Sequence, residues 1–203
     1  MYHFSEYKKT RTTFICNEVL SIKFLRSDKM NVFQEALRHM NQTIYEPKQL
    51  TVEYVQEEKQ NSEYAAGVFR LSSKTIRFRV AKITPTKIGQ FVAFWEKDSN
   101  NKNRPFLSEE APELLVITTF KKNNEFGQFV FPKEILIKKN ILRSQSAKGK
   151  MAIRVYPSWD RPTSKQAINT QKWQLPYFVD MSTPNKISID KIIKLYALGR
   201  TKC

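Results

Sequence analysis

The sequence has 203 residues, a length that suits one domain with a substantial hydrophobic core. Apolar residues make up 40% of the chain and aromatic residues 12%, with only 5 Gly and 9 Pro, which excludes a largely disordered protein. The 35 Lys and Arg residues outnumber the 19 Asp and Glu residues and give a formal charge of +16, so the chain attracts polyanions. No segment approaches the roughly 18 apolar residues of a membrane-spanning helix, and we predict no membrane insertion.

Residues 1–29 stand apart, because charged and polar residues are mixed through them and no small-residue cleavage site follows. We predict an N-terminal extension that is not a secretory signal, followed by a single domain at residues 30–203. Without the extension, which holds 6 basic and 3 acidic residues, 29 basic and 16 acidic residues still give +13. The basic character therefore belongs to the predicted domain.

The cysteines and histidines are few and widely spaced. Cys16 and Cys203 lie near opposite ends of the chain, and both histidines, His3 and His39, lie in its N-terminal part. This distribution predicts neither a Cys/His zinc site nor a disulfide framework, and it leaves no Cys–His or Ser–His nucleophile pair in the main body. A reducing, cytoplasmic location fits best.

The predicted domain begins with a helix that ends before the helix breaker Pro47. Its apolar positions at helical spacing are Val32, Phe33, Leu37 and Met40. From residue 50 onward, short β-branched and aromatic stretches predict consecutive, mostly antiparallel strands. In chain order these stretches are QLTVEYVQEE, YAAGVFRL, TIRFRVAKI, GQFVAFWEK, LLVITTF and GQFVFPK. Asn123 and Asn124 suit a hairpin turn between the last two.

The C-terminal half alternates helices with single strands. Pro132 opens a short helix over KEILIKKNIL, and MAIRVYP is the next predicted strand. Thr163 and Gln166 have the spacing of a capping box and predict a helix over residues 164–174. YFVDM predicts a last strand and ISIDKIIKLYAL a closing helix. This order predicts an α+β fold, a single domain with a mostly antiparallel central sheet flanked by helices.

The stretch TIRFRVAK carries a first group of cations. A period of two places Arg77 and Arg79 on one face of the strand, Lys82 and Lys87 follow, and residues 75–94 contain no acid. We predict that these four cations bind nucleic acid. The alternative is a solvated strand face paired with acids of a neighbouring strand, namely Glu53, Glu57 or Glu58.

Residues 138–172 carry a second basic excess, with 9 Lys and Arg and only Asp160 in opposition. On the predicted helix, Lys165 and Lys172 share one stripe, while Ile168 lies on another side that can pack on the core. We therefore predict that the two lysines contact phosphates.

Four further residues of this region have predicted roles. Arg154 and Arg161 would join the two groups of cations into one surface. Trp159 and Trp173 are candidates for stacking on unpaired bases, and packing in the core is the alternative for both.

Metal-dependent cleavage needs more than a basic surface, because at least two carboxylates have to converge on a divalent cation. In restriction-type nucleases one strand carries an acid-x-Lys pattern, but here Val80 stands where the acid would precede Lys82. Glu63, Glu96 and Asp160 are the candidate catalytic acids, and no spacing selects them. We predict no metal or cofactor, unless the nuclease alternative holds and requires Mg²⁺ or Mn²⁺.

Four stretches together resemble the MepB family of bacterial proteins. They are FRVAKITPTKIGQFVAFWEK, FGQFVFPKEILIKKNIL, IRVYPSWD and SKQAINTQKWQLPYF, and the similarity runs from about residue 30 to residue 181. The resemblance implies a compact cytoplasmic α+β protein, with a core like that of restriction endonucleases and an association with nucleic acid. The family's recurrent polar residues correspond here to Lys82, Thr84, Thr86, Lys87, Gln90, Gln128, Lys133, Arg154, Asp160, Ser164, Lys165, Gln166, Gln171 and Trp173.

The sequence as a whole favours binding over catalysis and predicts a protein that binds DNA or RNA mainly through phosphate contacts. Two alternatives stay open. A degenerate divalent-metal nuclease is suggested by basic residues with scattered carboxylates. A small-molecule or protein-interaction module linked to multidrug efflux is permitted by the aromatic content.

Overall fold

The computed structural model describes residues 32–121, 125–182 and 189–196, so the predicted extension and the turn at Asn123 and Asn124 lie outside the described residues. The strands are β1 (Val52–Glu57), β2 (Gly67–Leu71), β3 (Lys74–Val80), β4 (Lys82–Thr84), β5 (Lys87–Ala93), β6 (Glu96–Lys97), β7 (Asn103–Arg104), β8 (Leu114–Phe120), β9 (Phe126–Pro132), β10 (Ala152–Val155) and β11 (Phe178–Asp180). The α-helices are α1 (Val32–Met40), α2 (Lys133–Lys138), α3 (Lys165–Gln174) and α4 (Ile189–Leu195). Shorter helical turns span Asn41–Tyr45, Glu46–Lys48, Ser62–Tyr64 and Leu175–Tyr177. In this described part of the chain, no helix has both the length and the hydrophobicity needed to cross a bilayer.

The central sheet has six strands in the order β1-β2-β3-β8-β9-β11. Its neighbouring strands are antiparallel, except that β3 and β8 run parallel. The parallel pair arises because the chain leaves the sheet after β3, contributes β4 to β7 to two smaller sheets, and returns as β8. The predicted α+β domain with a mostly antiparallel central sheet is confirmed.

A second sheet has three strands in the order β10-β5-β4. It divides the predicted strand TIRFRVAKI, because residues 74–80 belong to the central sheet and residues 82–84 to the second sheet. Gln90 of β5 connects the second sheet to Phe120 of β8 in the central sheet. Its side-chain amide donates to the backbone carbonyl of Phe120 at 2.7 Å and accepts from the Phe120 N–H at 3.2 Å. Consecutive strands thus enter different sheets, which the period-two pattern does not reveal.

The two faces of the central sheet carry different cores, because side chains alternate along each strand. On one face Phe78 packs with Phe33 of α1, and Tyr196, which follows α4, belongs to the same core. On the other face Ile117 packs with Val92 of the second sheet. Helices α1 and α4 therefore cover one face, and the second sheet with the α2 and α3 segments covers the other.

Helix α3 begins at a different cap from the predicted one. Ser164 is the N-cap residue, and its hydroxyl accepts a hydrogen bond from the Ala167 N–H at 3.2 Å. The capping box expected from Thr163 was therefore one residue out of register. Both residues are common N-caps, so their adjacency leaves the sequence ambiguous.

Helix α3 also lacks the apolar core face that the sequence predicted. Ile168 is 46% exposed, while Gln174 is buried. The prediction that the Ile168 side packs on the core was wrong, because the helix is attached by polar and aromatic side chains at its C-terminal end. The middle of the helix, which includes Ile168, lies at the surface.

Candidate nucleic-acid interface

The two arginines of strand β3 lie inside the protein rather than on the predicted binding surface. The Arg79 side chain is 0% exposed, and its Nη1 lies 2.6 Å from Oε2 of Glu58. Nε of Arg77 lies 3.1 Å from Oε1 of the same carboxylate, and its guanidinium carbon lies 3.5 Å from the ring centre of Phe106. The strand is thus paired with an acid, as the alternative held, but in a buried network instead of a solvated face.

The charged guanidinium of Arg79 lies within the core. Burial lowers the pKa of Arg79 to about 10, against the opposing attraction of the Glu58 carboxylate, so the guanidinium stays charged at neutral pH. Its Nε and Nη2 have no hydrogen-bond partner among the described residues. Because the side chain is enclosed, Arg79 leaves the set of candidate phosphate contacts.

A surface groove of about 670 Å³ lies between strands β5 and β10 on one side and helix α3 with the segment before it on the other. We call it the basic groove, and its cationic side chains are Lys87, Lys139, Lys150 and Arg154. None of the described residues that line it is acidic. Of the ion pairs formed within the described ranges, none includes one of these four cations. Within the described residues, therefore, no ion pair neutralises these four cations, and Asp160 is an acid that acts electrostatically on the groove residue Tyr156.

Arg154 is held in a fixed orientation at the basic groove. Its Nη1 donates to Oγ1 of Thr84 at 3.0 Å and to the carbonyl of Gly89 at 2.9 Å, and the carbonyl of Lys87 is a third acceptor at 3.5 Å. Its guanidinium carbon lies 5.8 Å from the ring centre of Phe91. Since these partners come from the β4–β5 hairpin, the hairpin pre-organises the guanidinium for an anion.

Gly89 allows this close packing. Its φ of +85° is strained for any residue with a side chain, and a Cβ there would lie 2.6 Å from Cε1 of Tyr156 and 3.0 Å from Cγ of Arg154. The Tyr156 ring can therefore lie directly against β5. Burial raises the pKa of the Tyr156 hydroxyl, so this groove residue remains neutral at neutral pH.

Helix α3 forms the opposite wall and is attached to β10 through Gln174. The Gln174 side chain accepts from the Tyr156 N–H at 2.9 Å and donates to the carbonyl of Arg154 at 3.0 Å. The neighbouring Trp173 lines the groove, and Nζ of Lys139 lies 5.3 Å from its ring centre. The amide thus fixes the position of the helical wall relative to the strand that carries Arg154.

Neutral side chains complete the lining of the basic groove. Gln166 is exposed, and the Thr170 hydroxyl donates a hydrogen bond to the backbone carbonyl of Gln166 at 2.9 Å. Ala152 and Ala167 face the groove with small side chains, and Ile88 adds apolar surface with an exposure of 47%. The groove therefore combines positive charge, hydrogen-bonding groups and apolar surface.

Four other predicted cations are exposed but do not line the groove. Lys165 and Lys172 are exposed on α3 but are not among its lining residues. Arg161 is exposed in the loop before α3, where its guanidinium bonds to carbonyls of that loop. Lys82 is exposed on β4, and its Nζ lies 4.7 Å from the ring centre of Tyr64. Of the eight predicted contacts, the groove itself brings together Lys87 and Arg154.

The three candidate catalytic acids do not form one centre. Glu63 is exposed in the turn at residues 62–64, and Oε1 of Glu96 lies 2.9 Å from Nε of Arg104. Asp160 lies in the loop before α3, where burial raises its pKa. The described residues contain no group of three His, Cys, Asp or Glu side chains that could hold a metal ion.

Several residues marked by the family resemblance, or predicted to stack, serve the fold. Trp159 packs edge-on against Phe178 with ring centres 5.3 Å apart, as the packing alternative held. Gln128 is 0% exposed and accepts a hydrogen bond from the Tyr196 hydroxyl at 2.9 Å. Gln171 donates to two carbonyls of the loop before α3. These side chains are occupied inside the protein.

Sequence reasoning missed Lys139, Lys150 and Tyr156 as groove residues. The signal was present, because both lysines fall within the basic region at residues 138–172. Composition could not select them, since a shared surface depends on β10 pairing with β5 and on α3 lying beside β10.

Comparisons with known proteins agree with the sequence resemblance. A family model described as MepB-like matches residues 58–180. A solved structure described as "Crystal Structure of MepB" is 36% identical in sequence to this chain and superposes with a TM-score of 0.63. The match covers 82% of this chain and 97% of the chain in that structure. No curated protein matches. The matched segment contains every residue that lines the basic groove.

Proposed function

We propose that this chain, which belongs to the MepB-like family, binds DNA or RNA in the basic groove, mainly through phosphate contacts. The family prediction is confirmed, and the observation that carries the proposal is a groove with four cationic side chains and no acidic one among its described lining residues. Uncompensated cations attract phosphates and gain free energy by releasing condensed counterions. The proposal includes a cytoplasmic location, where nucleic acid is accessible.

The fixed orientation of Arg154 supports a phosphate as the group that is bound. A guanidinium presents several donors in one plane and matches phosphate oxygens well. Nη1 is engaged by Thr84 and by two carbonyls, none of which neutralises the positive charge. Binding a phosphate here therefore needs little reordering of the side chain.

The other four predicted cations extend the proposed contact surface beyond the groove. Lys82 lies on the second sheet, and Arg161, Lys165 and Lys172 lie on or before α3. All four are exposed, so each can neutralise a phosphate with little desolvation. They add salt-dependent affinity, while the groove determines where the ligand sits.

The test is a salt series with the full-length chain and fluorescently labelled single-stranded DNA, duplex DNA and RNA of equal length. It is done in EDTA, so that no metal-dependent cleavage consumes the probes. We expect log Kd to rise linearly with the logarithm of the salt concentration. Each phosphate contact should contribute about 0.7 to 0.9 to the slope.

A double variant, Lys87→Ala with Lys150→Ala, locates the contacts. We expect it to lower the slope for a single strand by about 1.4, at about 0.7 for each lost contact. Lys48→Ala is the control, because Lys48 follows α1 on the opposite face of the central sheet. Absence of binding at low salt, or an unchanged slope in the double variant, would contradict the proposal.

A further inference from the structure

We infer that the basic groove encloses an unpaired nucleotide, so that the protein prefers single strands and strand ends to continuous duplex. The inference rests on the proposed function, since it concerns which part of a nucleic acid enters the site. It is carried by the size of the groove, by the cationic, apolar and amide side chains that line it, and by two alanines among the lining residues.

The size of the groove suits a single building block. Its volume of about 670 Å³ falls within the about 300 to 1,000 Å³ of pockets that enclose small ligands. A DNA duplex is itself a broad rod, whose major groove of about 12 Å admits protein helices. The bases of a duplex are paired and stacked, so a duplex presents mainly its phosphates and sugars to a groove of this size.

The side chains that line the groove match the phosphate and the base of a nucleotide. Lys87 and Arg154 place positive charge on the side of the β4–β5 hairpin, where a phosphate would lie. Ile88 offers apolar surface for a base, as does the groove-lining part of Trp173, whose half-buried ring also packs against Phe131 with ring centres 5.4 Å apart. The side-chain amide of Gln166 can donate to and accept from a base edge, as amides do in direct readout.

Small side chains leave the space that a planar ring requires. Ala152 on β10 and Ala167 on α3 both line the groove from opposite walls. Gln174 fixes these walls relative to each other through hydrogen bonds to Arg154 of β10 and to Tyr156, which follows β10. Duplex DNA, whose bases are stacked and paired, would leave this neutral interior unused and would rely on the cations alone.

The first experiment compares ligands against one labelled single-stranded oligonucleotide bound to the full-length chain. The competitors are the unlabelled strand, its duplex with blunt ends, a nucleoside 5′-monophosphate and ribose 5-phosphate. We expect the strand to compete about tenfold better than the duplex, and the nucleotide better than the sugar phosphate, because a base in contact with apolar side chains adds affinity.

The outcomes separate the inference from the proposed function. Equal competition by strand and duplex, without competition by the nucleotide, would overturn the inference and leave the proposed function standing. Absence of binding by every nucleic acid would overturn both. Equal competition by the nucleotide and ribose 5-phosphate would show that the groove recognises phosphate only, which also overturns the inference.

A groove-filling variant gives an independent readout. Ala167→Leu keeps a good helix former and all cations but adds side-chain volume to the α3 wall of the groove. We expect it to weaken single-strand binding about tenfold and to leave duplex binding unchanged, since the contribution of one base contact is lost. Asn169→Leu is the matched control on an exposed, non-lining position of α3. An equal loss for strand and duplex in Ala167→Leu, or no loss for either, would contradict enclosure of a base.

Discussion

At the scale of single residues, burial decides what a charged side chain does. Glu58 is shared by Arg77 and Arg79 at 3.1 and 2.6 Å, and the Arg79 side chain is completely enclosed. Arg154 carries the same guanidinium, but its partners in the hairpin are neutral oxygens at a groove. The first two arginines therefore stabilise the fold, and the third is available to an anion.

Replacement of Arg79 should separate stability from binding. Arg79→Ala leaves Glu58 with Arg77 as its remaining arginine and opens a cavity, so we expect the free energy of unfolding to fall by about 3 kcal/mol. Arg79→Met fills most of the volume and should lose less. Urea denaturation of both variants measures these effects. Retained stability of Arg79→Ala together with a flatter salt dependence of binding would show that Arg79 is a nucleic-acid contact after all.

Asp160 should give a pH-dependent stability of known sign. Burial raises its pKa above the usual 3.8, so the protonated form is favoured in the folded state. This contribution is fully present below pH 3.8 and is lost as the pH rises through the folded-state pKa. The stability of Asp160→Asn relative to the wild type should therefore increase from pH 4 towards neutrality. Denaturation curves at several pH values test this, and a constant or decreasing difference would contradict it.

At the scale of elements, the β4–β5 hairpin positions the groove. It holds Arg154 through Thr84 and Gly89, and Gly89 also gives the Tyr156 ring its place. A substitution in the hairpin can therefore change binding without removing a charge.

Gly89→Ala tests this positioning role. The new Cβ would displace Tyr156 and Arg154, and the positive φ adds strain, so we expect a loss of more than about 1 kcal/mol in stability and a weaker affinity for nucleic acid. Gly127→Ala is the control, because its Cβ would meet Phe178 in the central sheet, away from the groove lining. It should lower stability and preserve affinity. Equal affinity losses in the two folded variants would argue against a specific role of the hairpin.

Helix α3 presents two sets of side chains, which predict unequal effects. Lys165 and Lys172 are exposed but do not line the groove, whereas Trp173 lines it. A double charge reversal, Lys165→Glu with Lys172→Glu, should flatten the salt dependence of binding. It should leave the preference for single strands over duplex intact, because exposed lysines attract phosphates through solvent and do not contact a base. Binding across a salt series measures both. Loss of the preference for single-stranded nucleic acid would show that Lys165 or Lys172 makes the selective contact. An unchanged salt slope would show that these lysines do not belong to the binding surface.

At the scale of the whole molecule, the fold was largely predictable from local patterns. Helix α1 and most strands follow from apolar spacing, because each pattern matches the face that the element buries. The division of TIRFRVAKI between two sheets was not predictable, since both halves have the same period and only pairing with β8 and β5 separates them. Local chemistry determined the elements, and long-range pairing determined the sheets.

The site could be predicted only in part, for the same reason. Lys87 and Arg154 were identified because their surroundings in the sequence are basic. Arg79 was misplaced although Glu58 was among its alternative partners, because period two does not tell which face of a doubly covered sheet is buried. Lys139 and Lys150 join the groove through tertiary contacts that no short stretch encodes.

The central claim is that the basic groove is where nucleic acid binds, and lysine footprinting tests it most directly. The full-length chain is acetylated with and without a saturating single-stranded oligonucleotide, and the modified lysines are quantified by mass spectrometry. We predict that Lys87 and Lys150 are protected strongly and that Lys48, on the opposite side of the central sheet, is unchanged. Protection of Lys48 with continued modification of Lys87 and Lys150 would contradict the account.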